Sequence, residues 1–137
     1  MQRDTRQRRA IREVVMVQAR PLTPLEILTE AQKLVARLGL ATVYRNLRML
    51  LDEGFLREVL IPGDSPRYEQ AGKGHHHHFF CFRCGKVFEI AGCRPEVNTL
   101  VPAGYIQEFH ELTFYGSCAG CALESTDKPV EAGTHRI

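Results

Sequence analysis

Five cysteines and six histidines in 137 residues are the side chains best suited to chemistry, and four of the cysteines come in pairs. Cys81-Phe-Arg-Cys84 and Cys118-Ala-Gly-Cys121 each leave two residues between their sulfurs. That spacing lets a tight turn present both thiolates to one ion, and two such turns complete a tetrahedron. Gly85 and Gly120 supply the backbone freedom such turns need. Four thiolates leave no position open for a substrate, so Zn2+ held there is structural and its binding energy becomes folding energy. A thioredoxin-like redox pair would instead open a helix in a βαβ context, whereas Cys81 follows an apolar strand. Cys93, the odd thiol, reads as a plain surface or core cysteine rather than a ligand.

The run His75-His76-His77-His78 is internal and short, unlike an affinity tag. In a strand its side chains alternate, His76 and His78 pointing one way and His75 and His77 the other. That suits two metal sites back to back, with Glu69, Glu89, Glu96, Glu111 and His110 as partners. A third pattern is Leu40-Ala-Thr-Val-Tyr-Arg-Asn-Leu47. Tyr44, Arg45 and Arg48 share an exposed helix face, where Arg can pair with guanine or phosphate and Tyr can touch a thymine methyl.

The elements that must position these groups follow from spacing. Thr5 can cap a helix over residues 5–19, and Pro21 and Pro24 break it. Thr23, Pro24 and Glu26 form a capping-box pattern. The stripe Leu25, Leu28, Ala31, Leu34, Val35 and Leu38 then predicts a helix running to Gly39. A third helix spans about Thr42 to Glu53 and buries Val43, Leu47, Leu50 and Leu51. Phe55 to Ile61 and Arg67 to Glu69 read as strands around the turn at 62–66. Three helices followed by a hairpin is the order of a winged helix-turn-helix. Beyond a hinge at 71–74, His78–Phe82 and Lys86–Ile90 read as strands. A short helix over about Arg94–Val101 and a strand from Tyr105 to Tyr115 complete the second half. The expected fold is therefore α+β. A winged-helix domain occupies residues 1–70, a small α/β domain with a zinc knuckle residues 75–123, and a flexible polar tail residues 124–137.

Charge is unevenly shared. Residues 1–70 carry 12 Lys/Arg against 9 Asp/Glu, and residues 71–137 carry 6 against 7. Arg3, Arg6, Arg8, Arg9 and Arg12 cluster at the start, as a phosphate-binding surface requires. No apolar run approaches the roughly 20 residues of a membrane helix, and no apolar signal core is present. The expected location is the cytoplasm, where thiols stay reduced.

Together these residues resemble the ferric uptake regulator family of bacterial repressors. The resemblance runs from Thr5-Arg-Gln-Arg-Arg-Ala-Ile11 through Gly39-Leu-Ala-Thr-Val-Tyr-Arg45, His75–Cys81 and Cys84-Gly-Lys-Val-Phe-Glu89 to Tyr115-Gly-Ser-Cys118. It implies a homodimer that binds operator DNA and represses metal-uptake or stress genes when a sensing metal is bound. Its structural zinc falls on Cys81, Cys84, Cys118 and Cys121. Its hinge-side sensing site falls on Glu69, His76, His78 and Glu89. A second site in the dimerisation domain falls on His75, His77, Glu96 and His110. DNA contacts fall on the helix with Thr42, Tyr44, Arg45 and Arg48, with Arg3 approaching the minor groove.

The chain departs from the family's pattern in places. Arg20-Pro21 occupies the slot where many iron and peroxide sensors carry a histidine, and Glu58 on the wing is the substitute ligand. His77 stands where many iron sensors have aspartate. The hinge cysteine of zinc-uptake regulators is absent, with Ala71 nearby. Glu69 in its place favours a harder ion, Fe2+ or Mn2+, over Zn2+. Zinc-uptake regulation and peroxide sensing are the alternatives within the family. A zinc enzyme with Glu111 or Glu89 as base is the rival from another class. A short chain with basic helices offers little room for a substrate cleft, so the expectation is no enzyme. A metal-storage or zinc-stabilised interaction module without DNA binding is the third reading.

Overall fold

The structure, a computed structural model, describes residues 5–124. The chain divides into two compact units, one running to Gly74 and the other starting at His75. In the first, helix α1 (Arg6–Gln18) begins where the Thr5 hydroxyl accepts the Arg8 amide at 3.0 Å. It turns Ile11, Val14 and Val15 into the core and ends at Ala19, whose left-handed backbone bends the chain away. Helix α2 (Pro24–Ala31) opens with a reciprocal cap. The Thr23 amide donates to the Glu26 carboxylate at 2.9 Å, and the Glu26 amide to the Thr23 hydroxyl at 3.1 Å.

Helix α2 stops at Ala31, about two turns before the expected end at Leu38. The amides of Lys33 and Leu34 reach back only three residues, to Glu30 and Ala31, and the Gln32 side chain donates to the Leu38 carbonyl at 2.9 Å. The buried side chains are Ile27, Ala31 and Leu38, while Leu25 and Leu34 of the expected stripe are exposed. Tightening the chain after Ala31 lets Leu38 reach a core set by the other two helices.

Helix α3 (Leu40–Asp52) starts at Gly39 and buries Val43, Leu47 and Leu50. Asn46 is buried too; its amide donates to the Thr42 carbonyl at 2.8 Å and its oxygen accepts from the Arg8 guanidinium at 3.2 Å. Arg8 was expected in the phosphate-binding cluster. It is buried instead and ties α1 to α3, with a further contact to the Met49 sulfur. An unpaired buried guanidinium would be costly, so this bond fixes the helix register.

Strands β1 (Leu56–Val59) and β2 (Arg67–Gln70) form an antiparallel hairpin, and Leu22 exchanges two backbone hydrogen bonds with Tyr68 along its free side. Three helices, a hairpin and this short bridge make a winged helix-turn-helix. Arg57 faces Glu69 and Glu58 faces Tyr68 across the ladder.

The second unit is a three-stranded sheet in the order β4-β3-β5. Central β3 (His76–Cys81) pairs antiparallel with β4 (Val87–Ala91) and parallel with β5 (Thr113–Gly116). The short helix expected over about Arg94–Val101 is a six-residue 3-10 helix (Pro95–Leu100). The expected long strand from Tyr105 shrinks to β5, and the irregular stretch before it carries His110. Helix α4 (Ala119–Glu124) closes the described chain. Glu124 therefore ends a helix rather than opening the expected tail; residues 125–137, like Arg3, lie outside the described residues. Among the described residues no helix is long and apolar enough to cross a membrane.

Candidate metal centres and nucleic-acid face

The second unit has almost no hydrocarbon interior. Among its described residues only Cys81, Val87, His77 and His78 are buried. Three of those four are metal-ligand types, so the usual burial of apolar area cannot be what holds these short strands.

Cys81 ends β3 and Cys84 follows one turn later, where Gly85 takes a positive φ of 74° and returns its amide to the Cys81 carbonyl at 2.9 Å. Cys118 precedes α4 and Cys121 lies in its first turn, so the second pair straddles a helix start rather than a loop, and Gly120 is helical. Arg83 joins the two halves, donating to the Ser117 hydroxyl at 2.9 Å. All four sulfurs lie within 4.8 Å of one another, and Cys84 and Cys118 are 4.0 Å apart. A tetrahedral ion with bonds of ~2.3 Å needs sulfur–sulfur edges of roughly 3.8 Å. The four thiols are free, not bridged in disulfides. They fit a zinc ion.

Their acidities are unequal. Burial pushes the Cys81 thiol up, but backbone N–H donors from Cys84, Cys118 and Arg83 outweigh it and bring the group down to about 6. Burial raises Cys84, and the neighbouring Cys118 sulfur holds Cys121 up at about 12. One thiolate thus waits for the ion, while Cys84 and Cys121 must give up protons to it. Zinc affinity should fall with pH throughout. Below about 6, where Cys81 also takes up a proton, each pH unit should cost about one further factor of ten. A chelator competition from pH 8 to 5 reads this slope; a slope that does not steepen would show that Cys81 is not held as a thiolate.

The four consecutive histidines alternate along β3. His75 and His77 stand with ring centroids 4.5 Å apart, and His76 and His78 with theirs at 5.0 Å. His110 joins the first pair, its Nε2 3.0 Å from Nε2 of His75. Cys93 completes that cluster; its sulfur is 3.2 Å from the same His110 nitrogen. The four ligand atoms lie within 4.8 Å of one another. Both ring nitrogens of buried His77 lack a hydrogen-bond partner, which is expensive unless something else binds there. Burial, then the neighbouring histidines, lower its pKa, keeping the ring neutral and able to ligate.

Glu96, expected here, does not enter. It sits exposed on the 3-10 helix, whose single short stretch points it outward. Instead Gly92, with φ of 76°, turns the chain so that Cys93 faces His110. Gln107 also escaped notice: its oxygen lies 2.7 Å from Nδ1 of His110, and its amide donates to Asn98 at 2.8 Å. No spacing rule points to either residue, since both arrive on irregular backbone.

Glu89 stands across the ladder from His78. Glu69 belongs to the first unit, where it is fully buried with Arg57 3.4 Å away. Glu58, the substitute ligand expected to join Glu69, points to the opposite face of the hairpin. There burial, then the Glu58 carboxylate beside it, push the Tyr68 hydroxyl up. A strand's parity of two separates the two glutamates.

On α3, Tyr44, Arg45 and Arg48 are exposed while Val43, Asn46, Leu47 and Leu50 face inward. Arg45 is steadied by the half-buried Thr42, whose hydroxyl accepts at 2.9 Å. Basic and aromatic groups therefore project together from the second helix of the helix-turn-helix pair.

A winged helix followed by a sheet built around sulfur and imidazole ligands defines the class: a two-unit metal-binding protein of the helix-turn-helix kind. Within it, the chain belongs to the Ferric uptake regulator family, which matches residues 2–115. It is 33% identical over 86 residues to the ferric uptake regulation protein of Campylobacter jejuni, covering 61% of this chain and 55% of that protein. It thus spans less than two thirds of the length of the first such relatives. The peroxide operon regulator of Bacillus subtilis is 31% identical over 124 residues, 88% of this chain and 84% of that protein. The solved Helicobacter pylori ferric uptake regulator superposes with a TM-score of 0.69 at 26% identity, covering 91% of this chain and 85% of that one.

Proposed function

We propose that this protein is a metal-responsive, DNA-binding transcriptional repressor that works as a homodimer and carries no catalytic residues. One observation carries the reading: the exposed face of α3 is basic and aromatic, while the buried residues of the second unit are, Val87 apart, of metal-ligating types. The relatives agree in kind. The H. pylori regulator is described as having three functional metal-binding sites, and the B. subtilis relative as a peroxide operon regulator.

Cys81, Cys84, Cys118 and Cys121 would hold a structural Zn2+. His76, His78 and Glu89 from the second unit and Glu69 from the first would share the sensed ion. A bound divalent cation supplies the positive charge that lets these groups converge. Two imidazoles with carboxylate oxygens form a mixed shell suited to Fe2+ or Mn2+. Ion binding would then select the DNA-competent state of the protein.

The homodimer is supported by Leu100, Tyr105, Ile106, Phe109, Phe114 and Tyr115, all at least 44% exposed on a unit with almost no core. Large apolar side chains left this exposed on so small a unit are what a second copy could cover. A zinc site of four free thiolates needs a reducing compartment such as the cytoplasm. The test is retention of duplex DNA from upstream of its own gene as Mn2+ or Fe2+ is added. Metal-dependent retention that falls steeply with salt is expected. No retention with any divalent ion would favour a metal-storage module.

A further inference from the structure

Cys93 is an exposed thiol, yet its position is not that of a bystander. Against its reading from the sequence as a plain thiol, we infer that Cys93 is the fourth ligand, with His75, His77 and His110, of a second cation site whose sulfur selects a zinc-class ion over manganese. The inference deepens the proposed metal-responsive function and rests on it.

Three observations converge. The four donor atoms lie within 4.8 Å of one another, close to the edges of ~3.3–3.8 Å of a tetrahedron with zinc–nitrogen and zinc–sulfur bonds. His77 is 4% exposed, and neither ring nitrogen has a hydrogen-bond partner although it is ringed by three candidate ligands. His110 is oriented from behind: with its Nδ1 proton on the Gln107 oxygen at 2.7 Å, its Nε2 lone pair faces His75 and Cys93 at 3.0 and 3.2 Å. That is the outer hydrogen bond a metal-bound histidine needs to fix its tautomer. Gln107 is held in turn by Asn98 at 2.8 Å.

The ligand chemistry then decides the ion. On binding, Cys93 releases its thiol proton to solvent and coordinates as thiolate. Three imidazoles and one thiolate suit zinc or cobalt(II), whereas manganese(II) prefers oxygen donors. A carboxylate at this corner would relax that preference; Glu96 is not there to supply one. The two sites on opposite faces of β3 therefore differ in hardness, one with imidazole and carboxylate, the other with imidazole and thiolate.

Mass-mapped thiol alkylation of the full chain during a zinc titration tests this. With one equivalent per chain, the four knuckle cysteines should be protected and Cys93 should react freely. As further zinc binds, the Cys93 rate should fall at least about ten-fold, and manganese(II) should not slow it. In His110→Ala, Cys93 should stay reactive at the same zinc level while the knuckle stays protected, which also shows that the variant is folded. Cobalt(II) added to zinc-knuckle protein should give a thiolate charge-transfer band that Cys93→Ser lacks. Zinc that binds beyond the first equivalent without slowing Cys93 would overturn the ligand assignment and leave the regulator reading standing. Equal protection by manganese would overturn the selectivity. Failure of any ion to bind beyond the knuckle would bring down both.

Discussion

Replacing Cys84 with serine is expected to unfold the second unit and leave the first intact. The sheet β4-β3-β5 consists of strands of four to six residues, and apart from Val87 its buried side chains are of metal-ligating types. Apparent zinc affinities of structural sites correspond to about 10–16 kcal/mol, as large as the whole stability of an ordinary domain, about 5–15 kcal/mol. Losing one sulfur therefore removes more than the remaining packing can replace. The first unit has its own core of twelve buried residues, among them Ile11, Ile27, Val43 and Leu50. Amide hydrogen exchange separates the two outcomes. Protection should vanish across β3–β5 while α1–α3 keep theirs. Retained protection in β3 would mean that the thiols are not the staple.

The second large effect is expected at Arg45. Its guanidinium is exposed and donates to Thr42 on its own helix, so Arg45→Ala should change stability by no more than about 0.5 kcal/mol. DNA is another matter. A well-placed arginine contact is worth roughly 1–3 kcal/mol, and the proposed dimer would present two copies, so affinity should drop on the order of 30-fold or more. If Arg45 reads a base, discrimination between sequences should shrink with it; if it meets phosphate, all sequences should weaken alike and the salt slope should shrink. Unchanged binding to every duplex would remove α3 from the interface.

What could be read from the sequence was local chemistry. Thr23-Pro-Leu-Glu26 closes its cap within four residues, and Cys-x-x-Cys sets its own sulfur spacing, so neither needed knowledge of distant contacts. The alternation of the histidines follows from strand geometry alone. Other features depended on partners far along the chain. Arg8 reads as a surface cation until Asn46, 38 residues away, claims it. Glu58 and Glu69 look equivalent until the hairpin register puts them on opposite faces. The end of α2 is set by where Leu38 must pack, not by its apolar stripe. Cys93 and Gln107 reach the second cluster on irregular backbone, to which no periodicity applies.

Coupling between ion and DNA is the heart of the account, and His78→Ala measures it most directly. His78 is buried beside His76 on β3, remote from the α3 reading face in sequence and in role. Wild-type affinity for the upstream duplex should rise about 5–150-fold on adding the sensed ion, a coupling of roughly 1–3 kcal/mol. The duplex should tighten ion binding by the same factor. In His78→Ala the metal-free affinity should be unchanged and the rise should disappear. A variant that still responds fully to the ion would contradict the claim that these imidazoles govern DNA binding.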